Sequence, residues 1–143
     1  MSQPYLIRPY LPSDYPAVSR LWEETGMGGA YRGDDEATIA RTLAQGGQFL
    51  ILEADGQVAG TSWLTDDGRR IYLHHFGILP AYQGRGWSHP LLEASLAWVK
   101  SKGMQVKLEV HRENHRALRL YRKRGFEPLG GYDVLIIRSM DTL

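Results

Sequence analysis

None of the 143 residues is a cysteine. Disulfides, cysteine-ligated zinc, iron–sulfur clusters and thiol nucleophiles are therefore excluded together. Long apolar runs are also missing. The longest, such as Phe49-Leu50-Ile51-Leu52 and Val134-Leu135-Ile136-Ile137, have four residues, far below the ~20 that span a bilayer. Neither sign of charge prevails: 17 basic against 16 acidic residues leave a net charge of +1. A general nucleic-acid binder leans on concentrated positive charge, so neither a membrane nor a nucleic acid is an expected partner. Met1 to Pro12 has no charged stretch leading into an apolar one, so no secretory signal is expected and the location read from the chain is cytoplasmic. There is no repeat, low-complexity tract or linker rich enough to split the chain. What remains is 43% hydrophobic and long enough for one core, so residues 1–143 are read as a single domain.

The pattern along the chain is mixed α/β. Tyr5 to Pro9 reads as a strand, and Ser13-Asp14 as the N-cap of a helix carrying Ala17, Val18, Leu21 and Trp22. Gly26, Gly28, Gly29 and Gly33 make a flexible loop around Tyr31 and Arg32. Asp34-Asp35 cap a second helix with Ile39, Ala40, Leu43 and Ala44 on its apolar stripe, ended by Gly46-Gly47. Phe49–Glu53 and Val58–Leu64 flank Ala54-Asp55-Gly56-Gln57, where Asp-Gly favours a tight hairpin. Strands at 70–79 and 106–110, helices to about Lys102 and at 114–124, and a final strand pair through about Arg138 complete the order β-α-α-β-β-β-α-β-α-β-β.

Three motifs overlap between the third long strand and its helix. Gly84-Arg85-Gly86-Trp87-Ser88-His89 begins like a dinucleotide fingerprint, but His89 holds the third glycine position and no acidic residue follows at a second strand. Gly86-Trp87-Ser88 begins like a nucleophile elbow, but Pro90 replaces its second glycine. The third reading is a phosphate cradle, with a plain glycine turn as its bland alternative. Unpaired N–H groups and the positive end of the dipole at a helix start suit a pyrophosphate, and Gly84 and Gly86 allow close backbone approach.

Gln83-Gly84-Arg85-Gly86-Trp87-Ser88 resembles the Gln/Arg-x-x-Gly-x-Gly/Ala loop of the GCN5-related N-acetyltransferase (GNAT) superfamily. Asn114, Ala117, Leu118, Leu120-Tyr121 and Gly125-Phe126 resemble its later motif, Asn-x-x-Ala-x-x-Leu-Tyr-x-x-x-Gly-Phe. Ser88 departs from the pattern and either crowds the phosphates or adds a hydroxyl donor. The resemblance is strong over residues 70–127 and elsewhere rests on element order. It implies a seven-strand mixed sheet with helices on both faces, strands 4 and 5 splaying apart, and acetyl-CoA as co-substrate. It also implies that Phe76, Gly77 and Ile78 run along the pantetheine, that one of their N–H groups stabilises the oxyanion, and that Gln83, Gly84, Arg85, Gly86, Trp87, Ser88, His89 and Asn114 bind the cofactor. Homodimers are common in such families.

Without cysteine there is no acyl-cysteine intermediate, so an acceptor amine attacks the thioester directly. Tyr121, a hydroxyl of ordinary pKa about 10, is the candidate acid for the departing thiolate, or else an aromatic that only packs. Glu109 is the candidate base if partly buried near the splay, with a pair to Lys107 or an arginine as its alternative. His75 is the next candidate base, with His74 behind it. Adjacent strand residues point oppositely, so only one histidine faces the cleft unless a bulge intervenes. His111-Arg112-Glu113-Asn114-His115 lacks the metalloprotease order, and no metal is expected. The run Arg112, Arg116, Arg119, Arg122, Lys123 and Arg124 reads as a solvated face, with a contact to the coenzyme 3′-phosphate as its alternative. Trp22, Glu23, Glu24, Tyr31, Asp34 and Asp35 suit a cationic amine; equally they read as a loop with capping acids, since Asp34-Asp35 already have that task. The competing function is a non-catalytic acyl-CoA-binding or sensor protein of the same fold.

Overall fold

A computed structural model describes residues 4–143. The chain divides into two compact units, Met1–Glu109 and Val110–Leu143. The first holds β1 (Leu6–Pro9), α1 (Tyr15–Thr25), α2 (Glu36–Ala44), β2 (Gln48–Ala54), β3 (Gln57–Asp66), β4 (Arg70–Ile78), α3 (Ser88–Lys102) and β5 (Gln105–Leu108). The five strands form one sheet in the order β1-β2-β3-β4-β5. The first three pairings are antiparallel and β4–β5 is parallel, with α3 as the crossover that a parallel pair requires.

Alternation along the strands sends two sets of side chains to opposite faces. Phe49, Ile51 and Trp63 join Tyr10, Val18, Leu21, Trp22 and Ile39 in a core with α1 and α2. Leu50, Leu52, Ala54, Ala59 and Ile78 join Tyr82, Trp87 and Leu91 in a second core with α3. Ser62 and Ser95, both fully buried, satisfy each other at 2.7 Å where α3 crosses β3. The β2–β3 turn has the expected chemistry: Asp55 (φ +52) and Gly56 (φ +74) both adopt left-handed backbone, as a two-residue hairpin requires.

One expectation is corrected in the first unit. Asp14 stands at the N-cap of α1 but makes no side-chain capping bond there. Its carboxylate instead takes both outer nitrogens of Arg8 at 2.8 Å, and a forked charge-assisted pair outcompetes a neutral amide. Arg8 holds the Asp14 carboxyl below its ordinary range. Glu53 supplies a further partner for Arg8 at 3.0 Å.

The second unit contains α4 (His115–Lys123). Asn114 caps it as expected, its side-chain oxygen accepting from the Ala117 N–H. Gly125, at φ +105, turns the chain at the other end. Here the count of seven strands is corrected to five: among the described residues, none of 126–139 is in a strand. Val134–Ile137 has a strand's composition, but those side chains are all exposed, Leu135 at 90%. Composition makes no ladder without a partner, and Pro128, Gly130 and Gly131 interrupt the approach to the run by removing a donor and loosening the backbone. No helix among the described residues is long and apolar enough to cross a membrane.

Candidate active site

The decisive local irregularity lies in β4. Trp63 pairs with His74 and Thr61 with Gly77, so His75 and Phe76 together oppose Ser62. That extra residue is a β-bulge, and His75 takes it up with φ +46, a left-handed conformation uncommon for a side-chain-bearing residue. A buried chain of hydrogen bonds holds it there. Trp22 Nε1–H donates to Thr61 Oγ1 at 3.1 Å, and the Thr61 hydroxyl donates to the His75 carbonyl at 2.7 Å. The bulge cancels the alternation that would separate the two histidines. Both rings lie by Trp63, at 5.8 Å for His74 and 5.5 Å for His75.

His74 Nε2 lies 2.9 Å from the Thr65 hydroxyl. Burial, followed by the neighbouring His75 and opposed by Asp34, pushes the His74 pKa down to about 4, so this imidazole is neutral at pH 7. His75 instead meets Asp34, with Nε2 2.7 Å from Oδ2. Asp35 alone caps α2, accepting from the Thr38 N–H at 2.9 Å and its hydroxyl at 2.7 Å. The adjacent acids thus have different tasks. Trp22, expected in an acceptor region, is fully buried in the core, whereas Tyr31 is exposed.

Beyond the bulge, the parallel ladder of β4 with β5 ends at the pair Leu73–Leu108, while β4 itself continues to Ile78. Met27, from the loop after α1, covers Gly77: a Cβ there would lie 2.8 Å from the methionine methyl carbon. Gln83 donates from its side-chain amide to the Ile78 carbonyl at 2.8 Å and ties the following loop to the strand end. In that loop Gly84 (φ +82) and Gly86 (φ +77) bracket Arg85, and neither has anything within 4 Å of a Cβ position. Alternating left-handed residues before a helix turn successive N–H groups into one concavity. Trp87, the N-cap of α3, supplies no side-chain acceptor to the first-turn amides. The loop therefore fits a pyrophosphate.

The loop also has a base. Tyr82 stacks on Trp87 at 5.6 Å, and the Arg85 guanidinium sits 5.1 Å from both ring centres. The Tyr82 hydroxyl accepts from Gln57 at 2.7 Å and donates to Asp55 at 3.0 Å, so the β2–β3 hairpin tip holds the platform.

Glu109 follows the end of β5 and is exposed, so the partial burial expected of it is not found. The second unit holds Asn114 and Tyr121. Tyr121 is buried, lies edge-on to Phe126 at 5.5 Å, and burial raises its pKa to about 12, keeping the phenol protonated. The basic run from Arg112 to Arg124 is exposed, as expected. The sequence reading missed the Asp34–His75 pair and the Thr61 bridge. One signal was available: two adjacent acids cannot both fill a single N-cap.

Residues 15–126 match the Acetyltransferase (GNAT) family, and the chain belongs to that family. Solved structures carry the same fold. An acetyltransferase from Streptococcus agalactiae 2603 superposes with a TM-score of 0.79 at 20% identity, over 95% of this chain and 92% of that one. The ribosomal-protein-S18-alanine N-acetyltransferase from Escherichia coli gives 0.73 at 22% identity, over 86% and 77%. The PaiA N-acetyltransferase from Thermoplasma acidophilum, solved in complex with coenzyme A, gives 0.73 at 22% identity, over 89% and 91%.

Proposed function

We propose that this protein transfers an acetyl group from acetyl-CoA to a primary amine, by direct attack in a ternary complex. The observation that carries the reading is the end of the β4–β5 ladder at Leu73, followed by the Gly84–Gly86 concavity at the start of α3. A family match running across both units supports treating residues 1–143 as one domain. Its setting is a cytoplasmic acetyl-CoA pool, and a homodimer is the assembly to test by size.

Each residue then has a task. Phe76, Gly77 and Ile78 line the pantetheine, with one backbone N–H polarising the thioester carbonyl and holding the developing oxyanion. Gly84 to His89, anchored through Gln83, receive the pyrophosphate, and Asn114 adds a contact. The base is His75: its side chain is 19% exposed and held in place, whereas Glu109 stands in solvent. Tyr121, protonated well above neutral pH, is the acid for the leaving thiolate.

The reading is tested by thermal shift with acetyl-CoA, followed by thiol release across a panel of small amines and peptides. Tyr121→Phe lowers kcat by about 10²-fold, the scale of a lost general acid, and leaves acetyl-CoA affinity unchanged. Full activity in that variant removes Tyr121 from the mechanism. Acetyl-CoA binding without turnover across the panel makes the protein an acyl-CoA sensor, and absence of binding overturns both.

A further inference from the structure

We infer that Asp34 is a positioning residue for acetyl transfer: its carboxylate holds the His75 imidazole with hydrogen on Nε2 and leaves Nδ1 to take the amine proton. The inference rests on the reading of His75 as base, but its geometry stands independently. An ionised carboxylate only accepts hydrogen bonds, so a ring nitrogen 2.7 Å from Asp34 Oδ2 carries the proton whether the imidazole is neutral or charged. Among the described residues, no side chain bonds Nδ1.

The pair is constructed from four directions. Trp22 of α1 meets the His75 ring edge-on at 4.5 Å, and Trp63 of β3 packs against it at 5.5 Å. Thr61 fixes the backbone of the bulge. The loop after α1 closes over the pair at Gly28, where a Cβ would fall 3.1 Å from Asp34 Oδ2 and 3.4 Å from the imidazole. Asp35 meets the capping requirement of α2, so Asp34 has no second helical task. Among the described residues, the other titratable ring packed here is His74, 6.5 Å from His75 and neutral at pH 7.

In the reaction the amine nitrogen bonds to the thioester carbon, and its proton passes to Nδ1. The carbon–sulfur bond breaks with its electron pair on sulfur, and the thiolate takes a proton from the acid. The imidazolium left behind faces the Asp34 carboxylate, which stabilises it in place.

Two measurements decide the matter. Nitrogen-15 NMR of the histidines in the full chain needs no acceptor: wild-type His75 shows hydrogen on Nε2 and a bare Nδ1, and Asp34→Ala shows a mixture. A neutral wild-type imidazole with hydrogen on Nδ1 in place of Nε2 overturns the inference, however the variant folds. In steady-state assays with the best amine of the panel, Asp34→Asn lowers kcat about tenfold or more with KM for acetyl-CoA within about twofold. Asp34→Glu recovers part of the loss, and Asp34→Asn has no further effect in a His75→Gln background. If His75→Gln loses activity and Asp34→Asn keeps it, the positioning role fails alone. If His75→Gln keeps full activity, the reading of His75 as base fails.

Discussion

On the α3 side of the sheet, the aliphatic side chains of Leu50, Leu52, Ala54, Ala59 and Leu91 meet in a layer that Ile78, Tyr82 and Trp87 complete. On the α1–α2 side, neighbouring positions of the same strands place Trp63, Thr61, His74 and His75 beside Trp22, Thr42 and Asp34. The first layer gains its stability from area and packing, which tolerate exchange of one aliphatic group for another. The second depends on hydrogen bonds with fixed directions, and its strained bulge holds only because Thr61 and Trp22 over-determine it. One side of a sheet supplies stability while the other spends conformational freedom to orient chemical groups.

That contrast can be broken from either side. Leu91→Ala in the aliphatic layer opens a fully buried cavity and costs about 3–5 kcal/mol by chemical denaturation, with kcat at saturating substrate unchanged below the melting range. The α1–α2 side responds to pH. The unfolded chain takes up a proton on residue 74 near pH 6.5, whereas native His74 resists it down to about 4. Stability therefore falls as pH drops through this window, by about 3 kcal/mol in total, and is fully present above pH 6.5. His74→Gln flattens this part of the stability–pH curve. The smallest effect belongs to Tyr10, whose buried hydroxyl has no hydrogen-bond partner among the described residues. Tyr10→Phe leaves the melting temperature unchanged or raises it, by up to about 1 kcal/mol of stability, because no bond is lost and an unsatisfied polar atom is removed.

The same contrast explains what could be read from the sequence. Asp55-Gly56, Asn114, Gly125 and the Gly84–Gly86 turn were legible because their conformations are set by chemistry within a few residues. The aliphatic layer was legible through periodicity. Asp34 and His75 are 41 positions apart, and a bulge shifts which residues share a face, so period-two counting gives the wrong geometry at that point. Asp14 looked like a cap because its spacing was right, and the stronger partner Arg8 took its carboxylate. Phe49–Leu52 and Val134–Ile137 look alike as apolar runs. The first is buried between two partner strands, and the second has no ladder among the described residues.

The hairpin tip at Asp55 and Gln57 has a consequence for speed as well as shape. It holds Tyr82, and through Tyr82 the stack under Arg85, before any anion arrives. The entropy of ordering this platform is thus charged to folding, once, and not to each binding event. With this loop as the proposed pyrophosphate site, capture is then governed by encounter, and loosening the hairpin by Gln57→Ala slows association while leaving the contacts of the bound state intact.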